Sequence, residues 1–291
     1  MLAVRNLIYL VAAVLADGSI DTERYTVTFT EDKGVVEKIT KTASKIGDLQ
    51  LEWKLEKQKN STRARTYSKK LCDSMLSLIP SFRTRPLGKH PTKIPIEQRN
   101  MYLEYPKIKL PETIKTGANK IDFLRVFATC DGGPEFSVYS RGNGALQLHV
   151  GVKIGCDNPY LRKEIKDMMT GLRVNFVERN DGIIIKQNSE IIKFAKTVGF
   201  LSESTIRRGK LLKGFTKNDA LTFMVMCAEL SKQSPWINKN FSDKKRLENF
   251  LVECIELISS KHFDDLQNLI EKELKIRLIL NPVEFSSVTS E

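Results

Sequence analysis

Leu10-Val-Ala-Ala-Val-Leu-Ala-Asp17-Gly18 and Leu124-Arg-Val-Phe-Ala-Thr-Cys-Asp131-Gly132 decide the reading of this chain. Each is a run of apolar and small residues that stops at an Asp-Gly pair. Each reads as a helix end, because a carboxylate followed by glycine favours a turn. Small side chains let two such helices pack almost backbone to backbone. That packing would bring Asp17 and Asp131 together at the helix ends, as paired oxygen donors for divalent cations.

The chain has 291 residues, of which 41% are hydrophobic and 28% charged, as in ordinary globular proteins. Its 47 Lys+Arg against 35 Asp+Glu give a net charge of +12, which favours polyanionic partners and nucleic acid first. Five cysteines (Cys72, Cys130, Cys156, Cys227 and Cys254) lack CxxC spacing, so neither a disulfide framework nor a structural zinc site is indicated. Cys130 reads as a small packing residue rather than a nucleophile. Disorder is expected only from about Ser286 onward.

Arg5 followed by Leu7 to Ala16 imitates a signal peptide with cleavage after Ala16. The second Asp-Gly segment lies deep in the chain, where no signal peptide sits. The shared pattern therefore favours a retained helix and an intracellular protein, in cytoplasm, nucleoid or organelle, rather than a secreted one. No stretch approaches the ~18–20 apolar residues of a membrane span.

The rest reads as two similar halves, residues 1–82 and 119–202, joined by a linker, 83–118, and followed by an extension, 203–291. In the first half a helix over 6–16 leads to an alternating strand, Arg24 to Thr30. Tyr25, Val27 and Phe29 face one way, and Thr26, Thr28 and Thr30 the other. Helical spacing over Val35 to Ile46 stops at Gly47. Leu49 to Lys57 alternates again, with Leu49, Leu51, Trp53 and Leu55 opposite Gln50, Glu52, Lys54 and Glu56. Ser61 to Tyr67 is its hairpin partner, carrying Arg63 and Arg65 on one side. A helix over 69–79 ends at Pro80. The linker holds five prolines and many basic residues, which makes it semi-extended.

The second half repeats this order. A helix over 119–130 precedes strands over 134–141 and 145–155, with Gly142-Asn143-Gly144 between them. Leu146, Leu148, Val150 and Val152 oppose Gln147, His149 and Lys153. Asn158-Pro159 starts a helix to about Thr170, with Pro in the first turn. Arg173 to Glu178 and Ile183 to Gln187 form a hairpin, and a helix over 189–198 stops at Gly199. Helices over 218–231, 244–259 and 262–274 fill the extension, after a basic path from Arg207 to Lys217. Helix–strand–strand–helix–strand–strand–helix occurs twice, with a weak second strand in the first half. That is a long-range internal duplication.

Each half thus offers an antiparallel sheet with one apolar and one polar face. A polar strand face commonly just meets water. Here the basic linker and net charge turn the reading toward binding, since paired β-ribbons fit the DNA major groove. Glu52, Glu56, Glu135 and Glu178 would accept from cytosine amino groups on such a surface. His149 could read a base; a metal role lacks a second His or Cys nearby. Trp53 shares a face with Leu51 and Leu55 and reads as core.

The two segments resemble the paired motifs of the LAGLIDADG homing endonuclease family in its single-chain, double-motif form. Ile121-Asp-Phe-Leu-Arg125 and the closing helix Ser189-Glu-Ile-Ile-Lys-Phe-Ala-Lys-Thr-Val-Gly-Phe200 add to the resemblance, which covers residues 1 to about 200. It implies an α+β fold: two pseudo-symmetric αββαββα halves forming a DNA-binding saddle of antiparallel sheets, here with a helical C-terminal extension. It implies a monomeric, site-specific endonuclease that cuts both strands of duplex DNA at a long target. Asp17 and Asp131 would ligate Mg²⁺, with Ca²⁺ or Mn²⁺ substituting in binding, and backbone carbonyls at Ala16 and Cys130 would complete the shells. Lys186 and Gln187 in the second half, and Arg65 in the first (Lys69 or Lys70 as alternatives), occupy the place of the family's water- and phosphate-assisting residues. DNA contacts are expected from Thr26, Thr28, Gln50, Glu52, Lys54, Arg63 and Arg65, and from Ser137, Tyr139, Arg141, Gln147, His149, Lys153, Arg173, Asn175 and Lys186.

Two departures stand out. Leu15 occupies a position that is often acidic, and Arg125 and Val126 replace small residues at the helix contact. A rival reading keeps the scaffold without cleavage, as a maturase binding intron RNA or as a DNA-binding regulator. An intein origin is disfavoured, because the chain starts with Met1 and has no His-Asn ending.

Overall fold

The first motif closes helix α1, Leu2–Asp17, in a computed structural model that describes residues 2–86, 104–140, 142, 144, 146–207, 211–233 and 241–274. From Ile8 to Leu15 no residue of α1 is more than 3% exposed. A helix apolar on every side must be covered on every side. Its largest contact is with α5, Gly117–Asp131, the helix that ends in the second motif. Phe123, Leu124, Val126, Phe127 and Ala128 of α5 are buried in turn. The apolar run that imitates a signal peptide is therefore a core helix. Among the described residues no helix is long and apolar enough to cross a membrane.

The chain forms two compact units, Met1–Gly132 with Ile154–Ile184 and Gly133–Lys153 with Ile185–Glu291. In the first unit, β1 (Gly18–Asp21) follows α1 without a break and pairs antiparallel with β2 (Thr26–Glu31). Gly18 is required there: a Cβ would lie 2.4 Å from the Thr28 carbonyl oxygen and 2.7 Å from the Val14 Cα. The Asp21 carboxylate accepts from the backbone N–H groups of Glu23 and Arg24 and shapes the turn, where Tyr25 takes a φ of 48°. Tyr25 thus sits in the turn and not on the predicted strand.

Helix α2 (Lys33–Thr42) follows. It ends before the predicted Ile46, because Lys45–Ile46 (β3) folds back on Leu49–Gln50 (β4) across Gly47, whose φ is 61°. The predicted strand over 49–57 is therefore two pieces. Only Lys54–Lys57 (β5) joins the main sheet, beside β6 (Thr62–Tyr67). Helix α3 (Lys69–Leu78) is capped by Ser68, whose hydroxyl accepts from the Leu71 N–H. The sheet runs β1-β2-β6-β5, with Val27, Phe29 and Ala64 buried on its covered face. Trp53 packs edge-on against Phe29 and is half-buried, at the margin of the core rather than within it as expected. Leu55, at the edge, stays 44% exposed.

The second set of elements has the same order. After α5 come β7 (Gly132–Ser140), β8 (Leu146–Gly155), α6 (Pro159–Gly171), β9 (Val177–Arg179), β10 (Gly182–Ile185) and α7 (Asn188–Thr197). The sheet order β7-β8-β10-β9 matches the first, so the duplication extends to topology. Asn158 caps α6 by accepting from the N–H groups of Tyr160 and Leu161, and its amide donates to the Pro106 carbonyl. Tyr105, Ile108, Leu110 and Ile114 are buried, so the later part of the basic linker is packed, with a short helix α4 (Glu112–Lys115).

Arg162 on α6 is 5% exposed, and its Nη1 donates to the carbonyls of Cys156 (2.9 Å), Asp157 (3.5 Å) and Asn180 (2.7 Å). Its Nε meets Glu178 at 3.4 Å. One buried cation thus ties the β9–β10 turn to the end of β8. The Cys156 N–H donates to the Asp181 carbonyl beside it.

The extension is built onto the second unit. Helix α8 (Lys217–Gln233) packs on α7 and is followed by α9 (Lys244–Ser259) and α10 (Phe263–Leu274). Asn218 brackets Phe200 through both its backbone groups, and Phe223 packs on Phe136 of β7 at 5.3 Å. Arg141, Asn143, Arg208, Lys210, Trp236, the middle of the linker and the expected disorder after Ser286 lie outside the described residues.

Two stability changes follow from these contacts. Gly18→Ala should lose about 1–3 kcal/mol, because its Cβ meets backbone that cannot rotate away; urea unfolding measures it. Arg162→Met should lose about 3–5 kcal/mol by stranding buried acceptors. Hydrogen exchange should then speed up at the Cys156 amide ahead of the α1 core.

Candidate functional site

The site starts from the direction of α1 and α5. Near their first turns, Arg5 Nε lies 2.8 Å from Asp122 Oδ2, and Arg5 Nη2 donates to Asp122 Oδ1 at 3.1 Å and to the Tyr9 hydroxyl at 3.5 Å. Asp122 is 5% exposed. Asp122 holds the Arg5 guanidinium above its usual range. A tie at the two N-terminal ends, combined with contact along the helices, requires them to run the same way. Asp17 and Asp131 therefore close the same end of the pair, and both are exposed.

At that end the backbone is tight. A Cβ on Gly155 would lie 2.8 Å from the Asp131 carbonyl oxygen and 3.7 Å from its Oδ1. Ala16 and Cys130, whose carbonyls are the further candidate ligands, are half-buried. Among the described residues no group of three or more His, Cys, Asp and Glu could hold a metal ion. The oxygen donors that the two motifs contribute at this end are the carboxylates of Asp17 and Asp131 and the main-chain carbonyls beside them. A hard cation such as Mg²⁺, which keeps several of its waters, fits that set; a soft or imidazole-seeking metal does not.

Beside Asp17 opens a groove of about 880 Å³. Its floor is the polar face of the first sheet, and Ser81, Phe82, Arg83, Thr84 and Arg85 also line it. Register places the face in rows. Ser19, Thr28, Arg65 and Lys54 lie side by side, then Thr30, Arg63 and Glu56, and at the other end Asp21, Thr26 and Tyr67. Thr28 and Ser19 share a hydrogen bond of 2.9 Å. Arg65 Nη1 donates to the Tyr67 hydroxyl at 3.4 Å and lies 3.4 Å from Glu56 Oε1, and both partners raise its pKa. Lys54 Nζ lies over the Tyr67 ring.

Of the candidate DNA contacts in the first half, Thr26, Thr28, Lys54, Arg63 and Arg65 share this face. Gln50 sits in the small β3–β4 hairpin and Glu52 between β4 and β5, so neither is on the four-stranded sheet. In the second half, Tyr139 of β7 and His149 of β8 are exposed and meet edge to face at 5.2 Å. Ser137, Gln147 and Lys153 are half-buried on the same two strands. Arg173, with a φ of 57°, and Asn175 precede β9 and are exposed. Glu178 turns toward α6. A hydrogen bond from Lys166, reinforced by Arg162, holds its carboxyl below the usual range, so this exposed carboxylate also has a structural role in tying β9 to α6. Lys186 and Gln187 are exposed between β10 and α7, with Gln187 at the helix cap position.

Ser19, Asp21, Arg24, Tyr67, Arg83 and Arg85 line the groove without having been singled out from sequence. The signal for Ser19 and Asp21 was β1 itself, four residues with one strongly apolar side chain, hidden against the helix that precedes it, whereas Arg24 stands in the turn that the strand pattern had absorbed. Tyr67 was visible as the outward end of an alternating strand.

No family model and no curated protein matches the sequence. Among solved structures, the chain is similar to I-DmoI in complex with DNA and Ca, at 14% identity, covering 68% of this chain and 91% of that one, with a TM-score of 0.44. It is similar to a mutant of I-SmaMI at 10% identity, covering 88% and 98%, with a TM-score of 0.47. The N-terminal LAGLIDADG domain of DUF199/WhiA is similar at 15% identity over 68% of this chain and 83% of that one, with a TM-score of 0.39. Two helices that pack in the same direction, each ending at an Asp-Gly step and each feeding a four-stranded sheet of the same strand order, form the duplicated α+β architecture expected from the resemblance to LAGLIDADG proteins.

Proposed function

We propose that this protein is a site-specific, metal-dependent endonuclease of the homing type, acting on duplex DNA as a single chain. The observation that carries the reading is the pair of exposed carboxylates, Asp17 and Asp131, at one end of two helices that run together, with an arginine-lined groove beside Asp17. One chain with both motifs supplies one carboxylate for each DNA strand.

In this mechanism Asp17 and Asp131 are the residues that would hold Mg²⁺, with the carbonyls of Ala16 and Cys130 as further candidate oxygen donors. A divalent cation bound there supplies an acidified water and a counter-charge for the leaving 3′ oxygen. The helix pair fixes the two carboxylates before substrate arrives, because their ends are set by buried helices and not by mobile loops. Arg63 and Lys54 of the first sheet hold the duplex beside Asp17. Lys186 and Gln187 lie after the last strand of the second half, where they can orient water and screen the phosphate. Phosphate contacts release counterions, so binding falls steeply with salt.

The test uses duplexes selected by the wild-type protein from a random library with Mg²⁺. Asp17→Asn and Asp131→Asn should each lower double-strand cleavage by at least about 100-fold, the scale on which loss of a charge-stabilising group acts. Binding to the selected duplex should persist in both. Cleavage by both variants at the wild-type rate overturns the assignment.

A further inference from the structure

If the groove holds duplex DNA, as proposed above, the geometry points to Arg63, Arg65 and Glu56 as one unit that reads G·C base pairs in one half of the target, with Arg65 a base reader and not an assistant of the cleavage step. The inference rests on that function and extends it to the composition of the target.

Position on the sheet comes first. In the order β1-β2-β6-β5, the arginines stand on β6, an inner strand, where side chains reach the floor of a groove laid over the sheet. Edge strands face the sugar–phosphate walls. Lys54, on the edge strand β5, is placed for a phosphate.

Direction comes second. Arg65 lies in the row Ser19, Thr28, Arg65, Lys54, two strand spacings from β1. At about 4.8 Å per spacing, that is roughly 10 Å from the strand that leaves Asp17. Its guanidinium reaches to Glu56 on the edge strand β5, and so toward the edge of the sheet farthest from β1, and along its own strand to Tyr67. A side chain assisting the chemistry at Asp17 would lean the other way.

Chemistry comes third. A guanidinium fork matches O6 and N7 of guanine, and a carboxylate accepts from the N4 amino group of cytosine. Glu56 stands opposite Arg63 and within 3.4 Å of Arg65. A carboxylate placed between two phosphate-binding arginines would repel the phosphate; placed beside two guanine readers, it is a third base contact. The Tyr67 hydroxyl and Glu56 also hold Arg65 in place before DNA binds, which lowers the ordering cost of a bidentate contact. Arg63 and Arg65 are two residues apart on a strand, about 7 Å. Two base-pair steps cover a similar length, at about 3.4 Å each. The target half should therefore carry two guanines within about two base pairs of each other.

The test selects bound duplexes from a random library with the full chain in Ca²⁺, for the wild type, Arg63→Ala, Arg65→Ala and Arg65→Gln. The wild type should enrich a guanine pair in one half-site. Each alanine variant should lose about tenfold of the guanine preference at one position and keep the other, whereas a phosphate contact would weaken all sequences alike. Arg65→Gln should move that position toward adenine, an outcome no folding defect produces. A wild-type consensus lacking the guanine pair overturns the inference while the endonuclease reading stands. Uniform weakening by Arg65→Ala with its guanine preference intact does the same. No enrichment of any duplex by the wild type overturns both.

Discussion

The side-by-side packing of α1 and α5 is the constraint on which the first unit depends. Asp122 is buried, and a buried carboxylate left without its cation costs several kcal/mol. Arg5 meets it only if the helices run in the same direction with their first turns adjacent. An antiparallel or slipped arrangement would bury the same apolar area and strand that charge. The ion pair thus acts chiefly against wrong arrangements, and the correct one brings Asp17 and Asp131 to one end. Covering α1 on all sides also requires the sheet, α2 and β3 to close over it, so the core and the site have a common origin.

Glycine extends this constraint to the strands. Gly18 lets β1 leave the helix within contact distance of Thr28, and Gly155 lets β8 pass against the main chain of Asp131. In each case a missing side chain allows a strand to start or end directly at a carboxylate. The Asp-Gly pair of the first motif is thereby explained by space: Asp for the exposed end, Gly for the backbone that turns beneath it.

Much of this was legible in the sequence, for physical reasons that also mark its limits. Apolar periodicity located α1, α5, α6 and the three helices of the extension, because buried helix faces are long and repetitive. The Asn158-Pro159 start was readable because a cap and a first-turn proline act locally. Alternation misled over 49–57. Leu49 and Leu51 belong to a side hairpin and Leu55 to an exposed edge, yet their spacing is that of one strand. Strand β1 escaped because four residues cannot show a period. Glu178 is the exposed acid its sequence suggests, but its partners Arg162 and Lys166 come from a helix that sequence order separates from it. The paired carboxylates were readable from the duplicated motifs, whereas the arginine-lined groove depends on β6 lying between β2 and β5, which no local pattern states.

Duplication of topology has not meant duplication of surface. The first sheet presents Arg63, Arg65, Lys54 and Glu56, of which Arg65 pairs with Glu56 and Tyr67 and Lys54 lies over the Tyr67 ring. On β7 and β8, the counterparts of β1 and β2, stand Ser137, Tyr139, Gln147 and His149, a neutral and aromatic set whose two rings are in contact. Hydroxyls, an amide and an imidazole make fewer charge-assisted hydrogen bonds than guanidinium groups do. The opposite side of β7 is where Phe136 receives Phe223 from α8, so this strand is braced by the extension. A strand that presents few strong contacts of its own gains most from such bracing, because each contact must be made without further cost of ordering. The extension therefore braces β7 and the end of α7, held at Phe200 by Asn218 and at Phe136 by Phe223.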